Sequence, residues 1–391
     1  MAKKIGIWFV GARGGVATTA AVGLAALNKG LISTTGLVTE LPAFSGAGLA
    51  AWRQLVTGGH DVRQVELRSA ARQAGLPDAL IAECENELRD ADQRIRPGFL
   101  FNSGPAVQQM ADRDYARRAD SPRAVIEAIQ SDLRDFQESQ ALGHVVVMLL
   151  TATEPPTEVD RLPRDWPTLS ETLDSAAACP LRASSLYAIA ALDLGFSFVN
   201  FTPSLGSSCG AIEELARLRG ACHAGRDGKT GETLLKTVLA PMFASRNLEV
   251  MSWVGHNILG NSDGQVLAHP EHKQSKLTTK DSVLGALLGH DPQTVVSIEC
   301  VESLAERKTA WNHVHFRGFL GVDMTLQLTW QGHDSALAAP LVLDLARLVE
   351  RSARRGEQGA IGALASFFKT PLGAPLEDHS KQFEKLLAHY A

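Results

Sequence analysis

Four lysines sit where an ammonium group could take part in chemistry. Lys276 and Lys280 lie four apart in Ser275-Lys-Leu-Thr-Thr-Lys280. On a helix they share one face, where two ammonium groups are mutually unfavourable unless something anionic compensates. A surface carboxylate would serve, and so would a phosphate together with a developing oxyanion. Lys369 follows the apolar pair Phe367-Phe368 and precedes Thr370-Pro371, an unusual setting for a freely solvated lysine. Lys308 and Asp334 do not stand out from surface charges by spacing alone. Just ahead of the lysine pair, Asn257-Ile-Leu-Gly-Asn-Ser-Asp-Gly264 brings Asn257, Asn261 and Asp263 into a glycine-punctuated loop able to orient hydroxyls, as a polyol substrate requires.

Two segments have the character of anion sites. Gly11-Ala-Arg-Gly-Gly-Val-Ala-Thr18 follows an apolar run and opens an alanine-rich stretch. Backbone N–H groups and a helix N-terminus there would face a pyrophosphate. Arg13 occupies the place of the second glycine of GxGxxG, and a tight strand-to-helix turn that binds nothing is the plainer alternative. Glu40, at the end of the next apolar run, is a candidate for a ribose hydroxyl. It would repel a 2′-phosphate and so favour NAD over NADP. The second segment, His223 to Thr233, sets Thr230, Gly231 and Glu232 at a helix start, fit for a phosphate or simply capped. It lacks the GxxxxGK[ST] spacing, so ATP is not implied.

These residues need a scaffold. A chain of 391 residues allows two domains and a large core. Apolar residues at 45% and charged ones at 21% fit a chain folded throughout. With 38 Lys and Arg against 43 Asp and Glu, nothing favours nucleic acid or a membrane surface. Five scattered cysteines without CxxC indicate neither a disulfide framework nor a zinc cluster, and the histidines form no HExxH pair. No run reaches the length of a membrane span, and the N-terminus reads as no signal peptide. The expectation is a soluble cytoplasmic protein.

Ile5–Val10 reads as a buried strand, Gly11–Thr19 as a glycine-rich turn, the alanine-rich stretch that follows to Leu27 as a helix closed by Asn28-Lys29-Gly30, and Gly36–Glu40 as a second strand. Polar-faced helices follow from about 62 to 142. Strands return at His144–Leu150 and Phe196–Phe201, joined by a helix over 183–194 and ending in the small polar residues Thr151–Thr153 and Thr202–Ser204. Open α/β sheets bind ligands at such carboxyl ends. Shorter runs fill 226–335, a helix spans 336–352, and Arg347, Arg351, Arg354 and Arg355 read as a solvated helix face.

Taken together, Gly11–Thr19, Gly58-Gly-His-Asp61, Thr151–Glu154, Asn200–Ser204, Asp227–Thr233, Asn257–Gly264, Ser275–Lys280, Gln331–Ser335 and Phe367–Pro371 resemble the inositol-phosphate synthases in their short prokaryotic form. The resemblance implies an α/β fold with a Rossmann-like NAD-binding domain over residues 1–225 plus 340–391. A central catalytic domain over 226–339 would have a sheet that supports a homotetramer. It implies an NAD-dependent isomerase that cyclises the sugar phosphate glucose 6-phosphate by oxidation at C5, enolisation, aldol closure and re-reduction. Lys369 would act at the C5 oxygen, and Lys276, Lys280 and Lys308 on the enolate, aldehyde oxygen and phosphate. Asp227 and Asp334 would lie near the nicotinamide and Asn257 on a substrate hydroxyl. Thr230, Gly231, Glu232, Ser275, Asn261 and Asp263 would contact substrate. Gly11, Arg13, Gly14, Gly15, Val16, Ala17, Thr18, Glu40, Asp61, Thr151, Thr153 and Thr202 would contact NAD. The sequence assigns no metal ligands, and a divalent or monovalent cation remains compatible with it. A cyclitol-phosphate synthase acting on another sugar phosphate would keep all four lysines. A plain dehydrogenase and a silent NAD-binding protein are the rivals on residues alone.

Overall fold

The structure, a computed structural model, describes residues 3–260 and 284–391. The first strand, β1 (Lys4–Val10), has apolar side chains on both faces. Ile5, Ile7 and Phe9 enter one hydrophobic cluster, Trp8 and Val10 another. A strand buried on both faces belongs in the middle of a parallel sheet, with helices covering each side. That is its place here. With β2 (Leu55–Asp61), β3 (Ile95–Pro97), β4 (Leu142–Leu149), β5 (Ser197–Asn200), β6 (Cys222–Gly225) and, late in the chain, Gly359–Ala360, it forms a seven-stranded sheet. Every pairing in it is parallel. The order runs from the late strand through β6, β5, β4, β1 and β2 to β3. The reversal of strand order therefore falls between β1 and β4, where such sheets leave a crevice for a ligand.

Helices Pro122–Ser139 and Ala183–Asp193 cover one face, while Gly15–Asn28 and Asp334–Arg354 cover the other and pack on each other. A second, four-stranded sheet is built from β7 (Glu249–Leu259), β8 (Gln293–Cys300), β9 (Arg307–Arg317) and β10 (Asp323–His333), in the order β10, β9, β7, β8. Its pairings are antiparallel except β7 with β8. Helix Glu232–Ser245 links the two sheets, and helix Asp334–Arg354 returns the chain to the first at the end of β10.

Two sequence expectations are corrected. Gly36–Glu40 is no strand, because Val38–Glu40 is a single 3-10 turn and the second strand of the sheet is Leu55–Asp61. The backbone N–H groups of Val38 and Thr39 donate to the Asp344 carboxylate at 2.7 and 3.1 Å, which takes the donors a ladder would need. Arg347 is no solvated residue either. It is buried, with its guanidinium 3.9 Å over the Trp52 ring and bonded to Ala50 O and Thr39 Oγ1. Burial lifts the Asp344 carboxyl to about 6, against the pull of its three donors from Val38 and Thr39. No helix among the described residues is long and apolar enough to cross a membrane.

Candidate active site

A cavity of about 300 Å³ opens where the carboxyl ends of the parallel strands meet the second sheet. The glycine turn forms its floor. Gly11 has φ +89°, and a Cβ there would press on the Leu150 carbonyl at 3.1 Å. A Cβ on Gly15 would stand 2.6 Å from Ser335 Oγ, so that glycine lets the first turn of helix Asp334–Arg354 close against the loop. Two helix N-termini thus converge on one wall, and a third, that of Glu232–Ser245, opens on the same space. Each supplies unpaired N–H groups and a positive dipole end, a strong combination for phosphate.

Lys369 is positioned by backbone pairing between two distant segments. Arg226 N–H donates to Thr370 O and Thr370 N–H returns to Arg226 O, while Lys369 N–H donates to Asp227 O and Lys229 N–H to Phe367 O. The Lys369 ammonium then lies 2.7 Å from Asp227 Oδ1, with both side chains nearly buried at the cavity edge. Asp227 Oδ2 is buried with no hydrogen-bond partner among the described residues. Lys308, on β9 opposite Leu259, reaches Asp334 Oδ2 at 3.4 Å. Asn257 Nδ2 donates to Glu232 Oε2 at 2.7 Å, leaving Asn257 Oδ1 buried and unpartnered among the described residues. Glu232 is buried and also pairs with Lys236 at 3.3 Å. A Cβ on Gly255 would strike the Glu232 carboxylate at 2.5 Å, so the glycine makes room for it.

Of the residues expected from sequence, the cavity collects Gly11, Gly14, Gly15, Val16, Asp61, Thr151, Thr153 and Thr202 from the parallel sheet side. From the other side it collects Asp227, Thr230, Gly231, Glu232, Asn257, Lys308, Asp334 and Lys369. Ala17 and Thr18 are fully buried inside the helix packing, and the Thr18 N–H is already spent on Gly14 O. Arg13 turns away. Its guanidinium bonds Asp92 at 2.9 Å, Tyr115 Oη at 2.8 Å and Arg63 O at 3.0 Å, so it braces the loop and does not reach into the cavity. Glu40 also lies elsewhere, paired with Arg347 at 2.7 Å and Trp52 Nε1 at 3.0 Å, and the acid at the end of the second strand is Asp61. Asn261, Asp263, Ser275, Lys276 and Lys280 lie outside the described residues.

Sequence reading missed three residues lining this cavity, Glu154, Glu306 and Arg63. Glu154 accepts from Ser184 N–H at 2.9 Å and from Ser184 Oγ, and its own N–H donates to Ser204 Oγ, tying the ends of β4 and β5 to a helix start. Burial pushes its carboxyl up despite those bonds. Glu306 accepts from Ser335 Oγ at 2.8 Å, and burial pushes it up as well, with Asp334 adding to the rise. Arg63 lines the cavity beside Asp61. Only Glu154 carried a signal, as the last residue of the polar run after β4.

The sequence profile of the myo-inositol-1-phosphate synthase family matches residues 5–390. The chain belongs to the myo-inositol-1-phosphate synthase family. Among relatives, inositol-3-phosphate synthase 1 of Bacteroides thetaiotaomicron is 28% identical over 389 residues, covering 94% of this chain and 90% of that one. The rat enzyme of the same name is 32% identical over 261 residues, which are 61% of this chain and 46% of the rat sequence. In fold, the chain superposes on inositol-3-phosphate synthase from Caenorhabditis elegans with a TM-score of 0.87 at 23% identity, covering 99% of this chain and 85% of that one. On a synthase-related protein from Thermotoga maritima the TM-score is 0.80 at 22% identity, covering 99% and 98%. The fold of the synthase family is thus retained in full.

The cavity fits NAD, the cofactor this family's profile carries. The glycine floor leaves no side chain between the helix N-terminus and a pyrophosphate, and Asp61 stands where a ribose hydroxyl would be held. Beyond it, Asp227 Oδ2 and Asn257 Oδ1 are buried acceptors without a partner among the described residues.

Proposed function

We propose that the chain converts glucose 6-phosphate into 1L-myo-inositol 1-phosphate with no net oxidation. The observation that carries this reading is the pair of lysines, Lys369 and Lys308, each resting on a carboxylate at the border of the cavity that the glycine turn opens into. NAD, when bound on the glycine floor, would supply the hydride chemistry at C5 of the open-chain sugar, oxidising before ring closure and re-reducing after it. Lys369 holds the C5 oxygen and relays its proton, giving one of its own to the Asp227 carboxylate 2.7 Å away as it takes the C5 hydroxyl proton, and reversing both transfers on re-reduction. Lys308 faces the oxygens that gain negative charge as the C6 proton passes to the substrate's own phosphate, the C6–C1 bond forms and the C1 oxygen takes up that proton. Such preorganised cations stabilise an enolate without a Schiff base. The start of helix Glu232–Ser245, at Thr230 and Gly231, receives the phosphate through backbone N–H groups. The Glu232 carboxylate stays bound to Asn257 and Lys236 and orients Asn257 toward a substrate hydroxyl. Lys276 and Lys280 complete the set of cations around the enolate and phosphate, with Ser275, Asn261 and Asp263 on the substrate.

The test is phosphorus and proton NMR of the protein with glucose 6-phosphate and catalytic NAD+, with absorbance at the NADH band followed in parallel. Formation of an inositol phosphate without accumulation of NADH is the expected result. Stoichiometric NADH with an oxidised sugar phosphate would instead identify a plain dehydrogenase. Bound NAD+ without any product would shift the substrate to another sugar phosphate.

A further inference from the structure

With Glu40 held by Arg347 and Trp52, discrimination against a 2′-phosphate cannot come from Glu40. It falls to the residues that end β2, Asp61-Val62-Arg63. An acid at this position excludes a 2′-phosphate through uncompensated negative charge, whereas a nearby arginine accommodates one. Here both are present, and the acid is compensated. Asp61 Oδ2 accepts from Arg13 N–H at 2.7 Å and Oδ1 from Arg63 N–H at 2.9 Å. The Arg63 guanidinium stands 3.5 Å from the same carboxylate.

Arg63 is also available. Its side chain is 31% exposed and lines the cavity next to the apolar wall of Val62, Val107 and Met110. Among the described residues, the guanidinium's one hydrogen bond runs from Nη2 to Arg13 O at 2.7 Å, and Nε faces Asp61 Oδ1 at 3.5 Å, leaving Nη1 for a ligand. Arg13 is neutralised by Asp92, so the local charge at the end of β2 is balanced and not negative. A planar guanidinium beside a ribose edge is well suited to a phosphate dianion.

We propose that the cavity admits NADP+ as well as NAD+, with Arg63 pairing with the 2′-phosphate. This rests on reading the cavity as the dinucleotide site. The two cofactors then bind with dissociation constants within about tenfold of each other, the worth of one charge-assisted contact. Titration calorimetry of the full chain, at low and at 0.5 M salt, measures both. Arg63→Ser should raise the ratio of the NADP+ to the NAD+ constant by about tenfold or more, and Arg63→Lys, which keeps the charge, should raise it less. Salt should weaken NADP+ binding more than NAD+ binding.

If NAD+ binds and NADP+ binds more than a hundredfold more weakly, the proposal is overturned while the cavity keeps its assignment. An unchanged ratio in Arg63→Ser overturns it too, since Arg63 then acts only as a brace for the Arg13 loop. If neither cofactor binds the wild-type chain, the dinucleotide reading of the cavity falls and this proposal with it.

Discussion

Replacing Lys369 by Met tests the site most directly, because it removes a charge and keeps the length and apolar stem of the side chain. At 2.7 Å from Asp227 Oδ1, the Coulomb attraction is about 6 kcal/mol at an effective dielectric of about 20, much of it offset by the cost of drying both groups. The net worth of the pair is therefore small, but removing one partner leaves the other charge stranded. The Asp227 side chain is 5% exposed and its Oδ2 already lacks a partner among the described residues, so Lys369→Met should destabilise by about 3 kcal/mol. Asp227→Asn keeps the shape and tolerates the left-handed backbone at φ +61°. It should cost about 1.5 kcal/mol, and the double variant about 2, giving a coupling near 2.5 kcal/mol in a double-mutant cycle. Urea denaturation of the four proteins supplies the energies. The same four, assayed by NMR for inositol phosphate, should show at least a thousandfold loss of turnover in both proteins lacking Lys369, with NAD+ still bound in calorimetry. Additivity of the two stability changes within about 0.5 kcal/mol would refute the coupling. Turnover in Lys369→Met above a tenth of wild type would refute the role at C5.

Gly59→Ala should abolish folding or cost several kcal/mol, because the added Cβ would lie 2.2 Å from the Phe9 carbonyl oxygen and 2.7 Å from Ala12 Cβ in the centre of the sheet. Soluble yield and thermal melting check it, and a wild-type melting temperature would show that the strands can part. Burial pushes the His144 imidazole from 6.5 down to about 4. The unfolded chain therefore takes up the proton first, and stability should fall by at most about 3 kcal/mol as pH drops from 6.5 to 4. That slope should shrink in His144→Gln, as urea midpoints at several pH values would show. Burial likewise brings the Lys229 ammonium from 10.5 down to about 8, against the pull of Asp378. The folded chain then gives up this proton earlier, so stability should rise with pH between 8 and 10.5 by at most about 3 kcal/mol. Lys229→Met should lose that rise, and an unchanged profile would mean that the Gln382 contact keeps the ammonium charged.

Elements whose stability is local were legible in the sequence. The β1 run, the glycine turn and the helix after it follow from hydrophobic pattern and turn chemistry alone, and β4 from an apolar run too short for a helix. The second strand was misplaced for a reason the sequence hides. Leu37-Val-Thr has the residues of a strand, yet its donors go to Asp344, 306 positions away from Val38. The true strand, Leu55-Val-Thr-Gly-Gly-His-Asp61, carries two glycines that strand propensity counts against it. Gly59 is there because the Phe9 carbonyl approaches too closely for any side chain. Glu40 followed from that error, and Arg13 from a similar one, since its carboxylate partner Asp92 lies on a helix that no local pattern connects to the turn.

Lys369 was legible as an oddity and Lys308 was not, and the contrast shows what a catalytic cation requires. An ammonium meant to meet a developing oxyanion must be dry and fixed before the substrate arrives, since reorganising it during the reaction would forfeit the stabilisation. Drying an unpaired ammonium is costly, so each lysine rests against an acid, Lys369 on Asp227 and Lys308 on Asp334. Each acid is borrowed from an element distant in sequence: the turn after β6 for the one, the first turn of helix Asp334–Arg354 for the other. Each pair is thereby kept near electrical balance. On the reading proposed above, a phosphate at the start of helix Glu232–Ser245 would add negative charge and the enolate more, and both would draw the two ammonium groups toward the substrate at little cost in new desolvation. Only Lys369 has apolar neighbours in sequence to betray its burial; Lys308, its side chain 23% exposed, is placed by pairing with Leu259 and Gly332 across the sheet, which a linear reading cannot see.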